Sequence, residues 1–185
     1  MNPKYPWADV QLAPLVSGNV ILGNNLLLSS FTKITAKNNS SIFIGESSSL
    51  YPFVRILAEG KTDNLVIGKR VRIQRRSELH GNVNIGSDSI VGPDCFISSG
   101  THLFDFVPEL SINDQDKLFQ SLHGDSPSDP ITVGTDVWIG RLVTILPGVT
   151  IGDHSIIGAN SVVTKSIPSG EVLAGSPCRF LRKRG

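Results

Sequence analysis

Aliphatic residues recur at every sixth position in two long blocks of the chain, and neither block slips by a residue. A period of six fits neither the 3.6-residue repeat of an α-helix nor the alternation of a single strand, but it suits a short strand and a turn repeated as one unit. Such repeats build a parallel β-helix, in which three short strands and three corners make one coil of about 18 residues. The repeated positions are Ile67, Ile73, Leu79, Ile85, Val91 and Ile97 in the first block, and Val133, Ile139, Ile145, Ile151, Ile157 and Val163 in the second.

A second inward register follows four residues after the first and holds mostly small or β-branched side chains. β-Branched residues pack well on a pleated strand. Glycine often follows the first register, which suits corners that need a positive φ. The second register consists of Val71, Ser77, Val83, Ser89, Cys95 and Thr101, then Val137, Val143, Val149, Ser155, Ser161 and Ile167.

The repeat is interrupted at three places. Polar insertions at 37–41 and 59–64 shift its phase, and we interpret them as lengthened corners because extra residues at a corner leave the strands undisturbed. Residues 103–130 break the period completely, and loops of this length inside a compact repeat are usually functional. We therefore predict an all-β solenoid with coils at 16–102 and 131–168, an N-terminal cap at 1–15, a protruding extended loop near the active site at 103–130, and a basic C-terminal tail at 169–185.

The composition predicts one domain with an aliphatic core. A chain of 185 residues, 39% hydrophobic and 6% aromatic, can bury one sizeable core. A net charge of +1 gives no general attraction to nucleic acid or to anionic membranes. No apolar run approaches the roughly 20 residues that span a bilayer, and the start lacks a signal pattern, so we expect a cytoplasmic location. Cys95 and Cys178 are poor candidates for a disulfide and have no metal-type spacing.

Several segments resemble the hexapeptide-repeat acyltransferases, and within them the galactoside/maltose O-acetyltransferases and the polysaccharide and lipopolysaccharide O-acetyltransferases. They are VNIGSDSIVGPDCFISSGTH, DVWIGRLVTILPGVTIGDHSIIGANSVVTKSIP and VLAGSPCRFLRKR. The hexads indicate the fold rather than the chemistry, and the ordered set GTH, VWIG, PGVTIG, VVTK and AGSPCR is more specific. The resemblance implies a left-handed parallel β-helix, a homotrimer, acetyl-CoA as acyl donor without a metal, and an active site between neighbouring subunits.

His102 ends the first block, opens the loop and matches the catalytic histidine of that family. Acyl transfer from a thioester to a hydroxyl needs a base of near-neutral pKa that takes the hydroxyl proton and returns one to the leaving thiolate. Asn84 lies one coil length earlier, so we expect it directly beneath His102, where it could orient the ring or face the acceptor. Asp105 and His123 are further candidates for orienting His102 or binding the acceptor.

The donor is expected to lie in a distributed site. Guanidinium groups pair well with phosphate oxygens, which suits the basic tail to the phosphates of coenzyme A. Arg141 stands where the family usually has a small residue, so it could crowd the pantetheine arm or reach the acceptor. The positions that match donor contacts of the family are Trp138, Ala159, Thr164 and Lys165, with Arg179 and Arg182 on the phosphate side.

Four functions compete at this point. The first is O-acetylation of a saccharide, for example a capsule or lipopolysaccharide precursor. The second is N-acetylation of an amino sugar, sugar nucleotide or xenobiotic by the same base. A γ-type carbonic anhydrase would need three imidazoles around Zn²⁺, and the spacing of His80, His102, His123 and His154 does not fit it; His80 and His154 are expected at solvated corners. A non-catalytic trimeric scaffold is the fourth.

Overall fold

A computed structural model describes residues 13–185, which form a three-sided column of stacked coils. Each side is a parallel sheet, except that the last strand of the third side is antiparallel. The first side contains β1 (Leu15–Ser17), β4 (Lys33–Ala36), β7 (Arg55–Ala58), β10 (Glu78–His80), β13 (Phe96–Ser98), β16 (Thr144–Ile145) and β19 (Val162–Val163). The second contains β2 (Val20–Leu22), β5 (Ser41–Ile44), β8 (Asn64–Ile67), β11 (Val83–Ile85), β14 (Ile131–Val133) and β17 (Thr150–Ile151). The third contains β3 (Leu27–Leu28), β6 (Ser49–Leu50), β9 (Arg72–Ile73), β12 (Ile90–Val91), β15 (Trp138–Ile139), β18 (Ile156–Ile157), β20 (Glu171–Ala174) and β21 (Arg179–Lys183).

The core follows the predicted period. All twelve aliphatic residues of the two long blocks are at most 1% exposed, and burying each such side chain contributes about 1.5–3 kcal/mol. The second register is buried as well, except for Thr101, which is exposed because the loop begins there. In the N-terminal coil, Val16 and Leu22 are 40% and 39% exposed. The predicted cap lies outside the described residues apart from 13–15, and Leu15 already belongs to β1.

Serines of the second register join successive coils. The Ser89 hydroxyl donates to the carbonyl oxygen of Gly134 at 2.9 Å and accepts from the N–H of Val137 at 3.1 Å. Ser77 does the same at a corner between the third and first sides, where its hydroxyl donates to the carbonyl oxygen of Gly92 and accepts from the N–H of Cys95. Each hydroxyl thus satisfies two backbone groups that a corner would otherwise leave buried without a partner.

The hexad glycines have a different role from the one expected. The positive-φ corner positions are held by non-glycine residues such as Asp88 at 63° and Asp136 at 53°. Gly86 lies instead where successive coils touch, and a Cβ atom there would come within 2.4 Å of the carbonyl carbon of Gly134. These glycines are therefore required for close approach of the backbones.

All three interruptions of the repeat lie at one corner, between the first and second sides, which we call the insertion corner. Leu15 pairs with Lys33, but Lys33 pairs with Arg55 and Arg55 with Glu78, so the second and third coils are longer by four and five residues. This confirms the two lengthened corners. The third interruption separates Phe96 from its partner Thr144.

The third interruption is not simply an extended loop, because it contains the helix α1 (Ile112–His123). Ser111 caps its N-terminus by accepting from the N–H of Asp114, and Gly124, with φ 79°, ends it. The base of the insertion is closed by a bridge between Gly100 and Ser128. A serine followed three residues later by an acid, with a glycine after the last turn, is the local signal that could have predicted this helix.

The segment predicted as a basic tail is folded onto the third side. Strand β20 continues the parallel sheet beside β18, and β21 returns antiparallel to β20. Arg184 forms an ion pair with Asp136 at 3.0 Å, and Lys183 pairs with Glu171 at 2.8 Å. The C-terminal cations are thereby held at defined positions.

Candidate active site

His102 is held by a carboxylate of the inserted helix. Its Nδ1 lies 2.6 Å from Oδ2 of Asp116, and Oδ1 of Asp116 accepts from the N–H of Leu103 at 2.9 Å. The hydrogen bonds from Leu103 and His102 hold the pKa of the Asp116 carboxyl below its usual range. A carboxylate at Nδ1 favours the tautomer whose lone pair is on Nε2. The His102 side chain is 81% exposed, so that this nitrogen is open to a substrate.

Asp116 is positioned by its neighbour Gln115, whose side chain is 2% exposed. The amide oxygen of Gln115 accepts from the N–H groups of Phe106 and Val107, and its amide nitrogen donates to the carbonyl oxygens of Phe104 and Leu110. These four bonds tie the first part of the insertion to α1 beside Asp116. Sequence reasoning missed both Gln115 and Asp116, because neither belongs to the hexad pattern.

Asn84 does not lie beneath His102. It pairs with Thr132 above and Val66 below on the second side. The prediction counted 18 residues forward from Asn84, but the insertion begins before that coil is complete, and β14 takes the place next to β11. Asn84 and His102 are therefore not partners in one stack.

The other predicted acceptor residues lie on the insertion. Asp105 is exposed, and Asp116 rather than Asp105 contacts His102. His123 follows Asp116 by two helical turns on the same face of α1, stacks on Phe119 with ring centroids 4.1 Å apart, and bonds through Nδ1 to the Phe119 carbonyl oxygen at 3.0 Å. His123 is thus already occupied by contacts within the helix.

His80 is not a solvated corner residue, whereas His154 is exposed as expected. His80 lies in β10, lines a cavity at the insertion corner, and packs edge-on against Phe96 at 5.6 Å. Burial lowers the pKa of its imidazole. Its Nε2 is buried and lies 3.1 Å from Oε2 of Glu78.

Three predicted donor residues meet in a groove of about 440 Å³ at the corner between the third and first sides, which we call the groove corner. Trp138, Arg141 and Ala159 line it, and Trp138 is 54% exposed. The Arg141 guanidinium is held in place by an ion pair, with its Nε 3.0 Å from Oδ2 of Asp94. Asp94 also forms an ion pair with Arg76.

The remaining donor candidates lie elsewhere. Thr164 and Lys165 follow β19 at the insertion corner, two coils beyond the level of His102. Arg182 belongs to the same outward row as Trp138, since Trp138 pairs with Ile156, Ile156 with Val172, and Val172 with Arg182. Arg179 pairs with Ala174, where β21 begins. The structure therefore places the predicted donor residues at two different corners and along the third side.

Among residues 13–185, no three His, Cys, Asp or Glu side chains converge as metal ligands would. No helix in this range combines the length and apolar character needed to cross a bilayer. Both cysteines are free thiols.

Comparison with known sequences identifies relatives. Residues 130–165 match the family model described as bacterial transferase hexapeptide (six repeats). The chain is 45% identical over 101 residues to the galactoside O-acetyltransferase of Escherichia coli K12, covering 55% of this chain but only 44% of that protein. It is 30% identical over 162 residues to YJL218W of Saccharomyces cerevisiae, a provisionally named acetyltransferase, covering 82% of this chain and 80% of that protein.

Solved structures give the same fold. An N-acyltransferase from Bacillus cereus, AntD, solved as a mutant with dTDP and coenzyme A, superposes with a TM-score of 0.72 at 20% identity over 91% of this chain and 86% of its own. This likeness confirms the left-handed parallel β-helix. A galactoside acetyltransferase in complex with coenzyme A gives a TM-score of 0.52 at 33% identity over 77% of this chain and 64% of its own.

Proposed function

The chain belongs to the hexapeptide-repeat acyltransferases, and we propose that it transfers an acetyl group from acetyl-CoA to a hydroxyl of a saccharide, with His102 as the general base. The similarity to galactoside O-acetyltransferase supports a sugar acceptor. The observation that carries the proposal is the contact between His102 and Asp116, because it prepares one ring nitrogen of an exposed histidine to accept a proton.

The chemistry follows from that nitrogen. Nε2 of His102 takes the proton of the acceptor hydroxyl while the hydroxyl oxygen bonds to the carbonyl carbon of the thioester. The carbon–sulfur bond then breaks, and the imidazolium returns its proton to the departing sulfur. The products are an acetyl ester and the free thiol of coenzyme A, and His102 is again neutral. Throughout, the Asp116 carboxylate stabilises the charge on the ring.

The groove of Trp138, Arg141 and Ala159 suits the donor. An indole that is half exposed offers an apolar surface to the pantetheine arm, and the backbone of the glycine-rich corner lies open beside it. The outward row from Trp138 ends at Arg182, whose guanidinium bonds only to the carbonyl oxygen of Lys183 within the described chain. It remains available for a phosphate group.

A complete site needs more than one copy of the chain. His102, Thr164 and Lys165 lie at the insertion corner, whereas Trp138, Arg141 and Ala159 lie at the groove corner. A ring of three parallel columns would bring the insertion corner of one subunit to the groove corner of the next. We therefore include a homotrimer in the proposal.

The test is release of free thiol from acetyl-CoA in the presence of a panel of saccharides and amino sugars. Replacing His102 by Ala is expected to lower kcat by about 10²–10⁴-fold. His154→Ala is the matched control, because His154 is also an exposed histidine with Nδ1 bonded to a carboxylate, 3.0 Å from Asp136. Equal activity of wild type and His102→Ala would contradict the proposal, and turnover only with amino sugars would redirect it to N-acetylation.

A further inference from the structure

The insertion corner encloses a cavity of about 460 Å³, which is within the usual range for small-molecule sites. Its walls come from both lengthened corners, from the strand ends at Gly81 and Gly100, and from the end of the inserted helix. All three departures from the hexad repeat therefore build one cavity. Insertions that the packed column does not need are the expected place for binding residues.

The walls of the cavity are fixed by hydrogen bonds. Asp63 accepts from the N–H groups of Glu59 and Gly60, which shapes the longer of the two corners. Asp125 accepts from the N–H of Thr62 at 3.2 Å and thereby ties the insertion to that corner. Ser99 and Ser128 share a hydroxyl contact at 2.8 Å. The cavity is consequently formed before any ligand binds.

Other lining groups are free to bind a ligand. Their side chains carry hydroxyl, amide and ammonium groups, and none of them forms a side-chain hydrogen bond or ion pair within residues 13–185. A lining that offers both hydrogen-bond donors and acceptors suits a ligand with many hydroxyl groups, because each hydroxyl can donate and accept. Leu57 supplies an apolar surface for its ring carbons. The free groups are those of Lys61, Ser98, Gln120 and Ser126.

The cavity lies next to the proposed base. Gly100, which lines it, is two residues before His102. Gln120, which also lines it, follows Asp116 by four residues on α1, a rise of about 6 Å. Thr164 and Lys165 lie on the opposite side of His102 along the column, about 10 Å away at the usual spacing of coils. Along the column, the cavity and the pair Thr164 and Lys165 thus lie on opposite sides of the level at which His102 opens the insertion.

The side chains that line the cavity carry a net negative charge, which disfavours a ligand with phosphate groups. It carries two lysines against three carboxylates, from Glu59, Asp63 and Asp125. Lys37 is already paired with Glu59, which leaves Lys61 alone to meet an anion. A nucleoside diphosphate would place two negative groups against a net negative wall.

We infer that this cavity binds the acceptor, and that the acceptor is an uncharged, hydroxyl-rich ring of the size of a pyranoside rather than a sugar nucleotide. The inference rests on the proposed acetyl transfer for the role of the bound sugar. Binding itself can be measured without acetyl-CoA, so that the two can fail separately.

The experiment is saturation-transfer NMR with a panel of methyl hexopyranosides, using the full chain as purified. Wild type is expected to bind at least one of them, and Gln120→Trp, which fills the cavity from the helix, is expected to weaken that binding at least tenfold. Ser121→Trp is the matched control, because Ser121 is the next exposed residue of α1 and does not line the cavity. Both variants should bind coenzyme A as wild type does, which also checks that they are folded.

A second variant tests whether the ligand is uncharged. Lys61→Ala should leave the affinity for the bound pyranoside within about threefold at low and at high salt, because no ion pair forms with an uncharged ligand. Undiminished pyranoside binding by Gln120→Trp, or binding of nucleoside diphosphate sugars but of none of the methyl pyranosides, would overturn the inference. Pyranoside binding without any acetylation would instead contradict the proposed function and leave the binding site in place.

Discussion

A single carboxylate occupies Nδ1 of His102 and leaves Nε2 as the ring nitrogen without a hydrogen bond among the described residues. Asp116 reaches the ring only because Gln115, on the preceding position of α1, bonds four backbone groups of the insertion. Asp116 touches no substrate atom in the proposed reaction, so it is a positioning residue. Its effect should therefore appear in turnover and not in binding.

Replacing Asp116 by Asn should lower kcat by about 10- to 10²-fold, a smaller loss than that caused by removing the base. The amide can donate to Nδ1 and so favours the tautomer with the proton on Nε2. The KM values for acetyl-CoA and acceptor should stay within about twofold, and Asp116→Glu should recover part of kcat. A rise in KM with unchanged kcat would show that Asp116 acts in binding instead.

His80 should make the fold sensitive to mild acid. Burial lowers the pKa of its imidazole below the ordinary value of 6.5, so the unfolded chain binds a proton more readily than the folded one. Its contribution to stability is complete above about pH 6.5 and falls as the pH drops toward the folded pKa. His80→Gln should lose less stability than wild type between about pH 7.5 and about pH 5 in urea unfolding; an equal loss would contradict this assignment.

The two cysteines should differ in reactivity. Burial raises the pKa of the Cys95 thiol to about 11, and its sulfur lies 3.1 Å from the carbonyl oxygen of Gly140. Cys178 is only partly buried. Iodoacetamide should therefore label native Cys178 first, and Cys178→Ser, unlike Cys95→Ser, should abolish labelling of the native protein. Rapid modification of Cys95 in the folded chain would argue against the packing described.

Among the elements, the strands follow from the hexad pattern, whereas the helix is marked only by its cap residues. Each strand from β4 to β19 carries a buried aliphatic residue, because each coil must bury one residue per side, and the interval is six residues except at the insertion corner. Helix α1 buries only Gln115, so no apolar period marks it, and its caps at Ser111 and Gly124 are short local signals. His102 could be recognised from its motif, whereas Asp116 is brought to it by a helix that the pattern does not reveal.

The insertion also explains the error at Asn84. Counting by coils is reliable only where the coils are regular, and the coil after β11 is closed by a segment that leaves the column. The same limit applies to Thr101, which has an inward position by count but is exposed. The period of six predicts the regular coils of the column. It does not predict where the chain rejoins the column after an insertion.

The stacking of corners should respond to a single methyl group. Gly86→Ala would place its Cβ 2.4 Å from the carbonyl carbon of Gly134, and overpacking of this kind costs about 1–3 kcal/mol. Gly100→Ala is the control, since its Cβ would meet only the Ser98 hydroxyl oxygen at 3.7 Å. Urea unfolding should show a lower midpoint for Gly86→Ala alone. Equal midpoints would mean that the coils can separate at low cost.

At the scale of the whole molecule, the proposed site is divided between two corners of the column. The candidate residues of both corners can be read from the sequence. The corner at which each residue lies depends on which side of the column its hexad occupies. Trp138 and His102 are separated in this way, although both match the family motifs. Only the three-dimensional arrangement shows that one chain carries these two groups of residues at different corners.

Mixing two inactive variants should therefore restore activity. If His102 of one subunit works with the Trp138 groove of the next, His102→Ala and Trp138→Ala chains unfolded and refolded together should form intact sites at about a quarter of the interfaces, as random assembly of a ring predicts. Activity should rise above that of either variant alone, and sedimentation should give a trimer. No recovery in mixed trimers would place both residues in a site within one subunit.

The three departures from the repeat share one edge of the column, and the other two edges keep their regular turns. Substrate preference and folding stability can therefore change independently, because sequence drift at that edge leaves the stacked isoleucines and valines untouched. Transplanting the segments 37–40, 59–63 and 101–129 as a set onto the equivalent turns of another left-handed solenoid should transfer sugar selectivity, whereas transplanting any one of them should not.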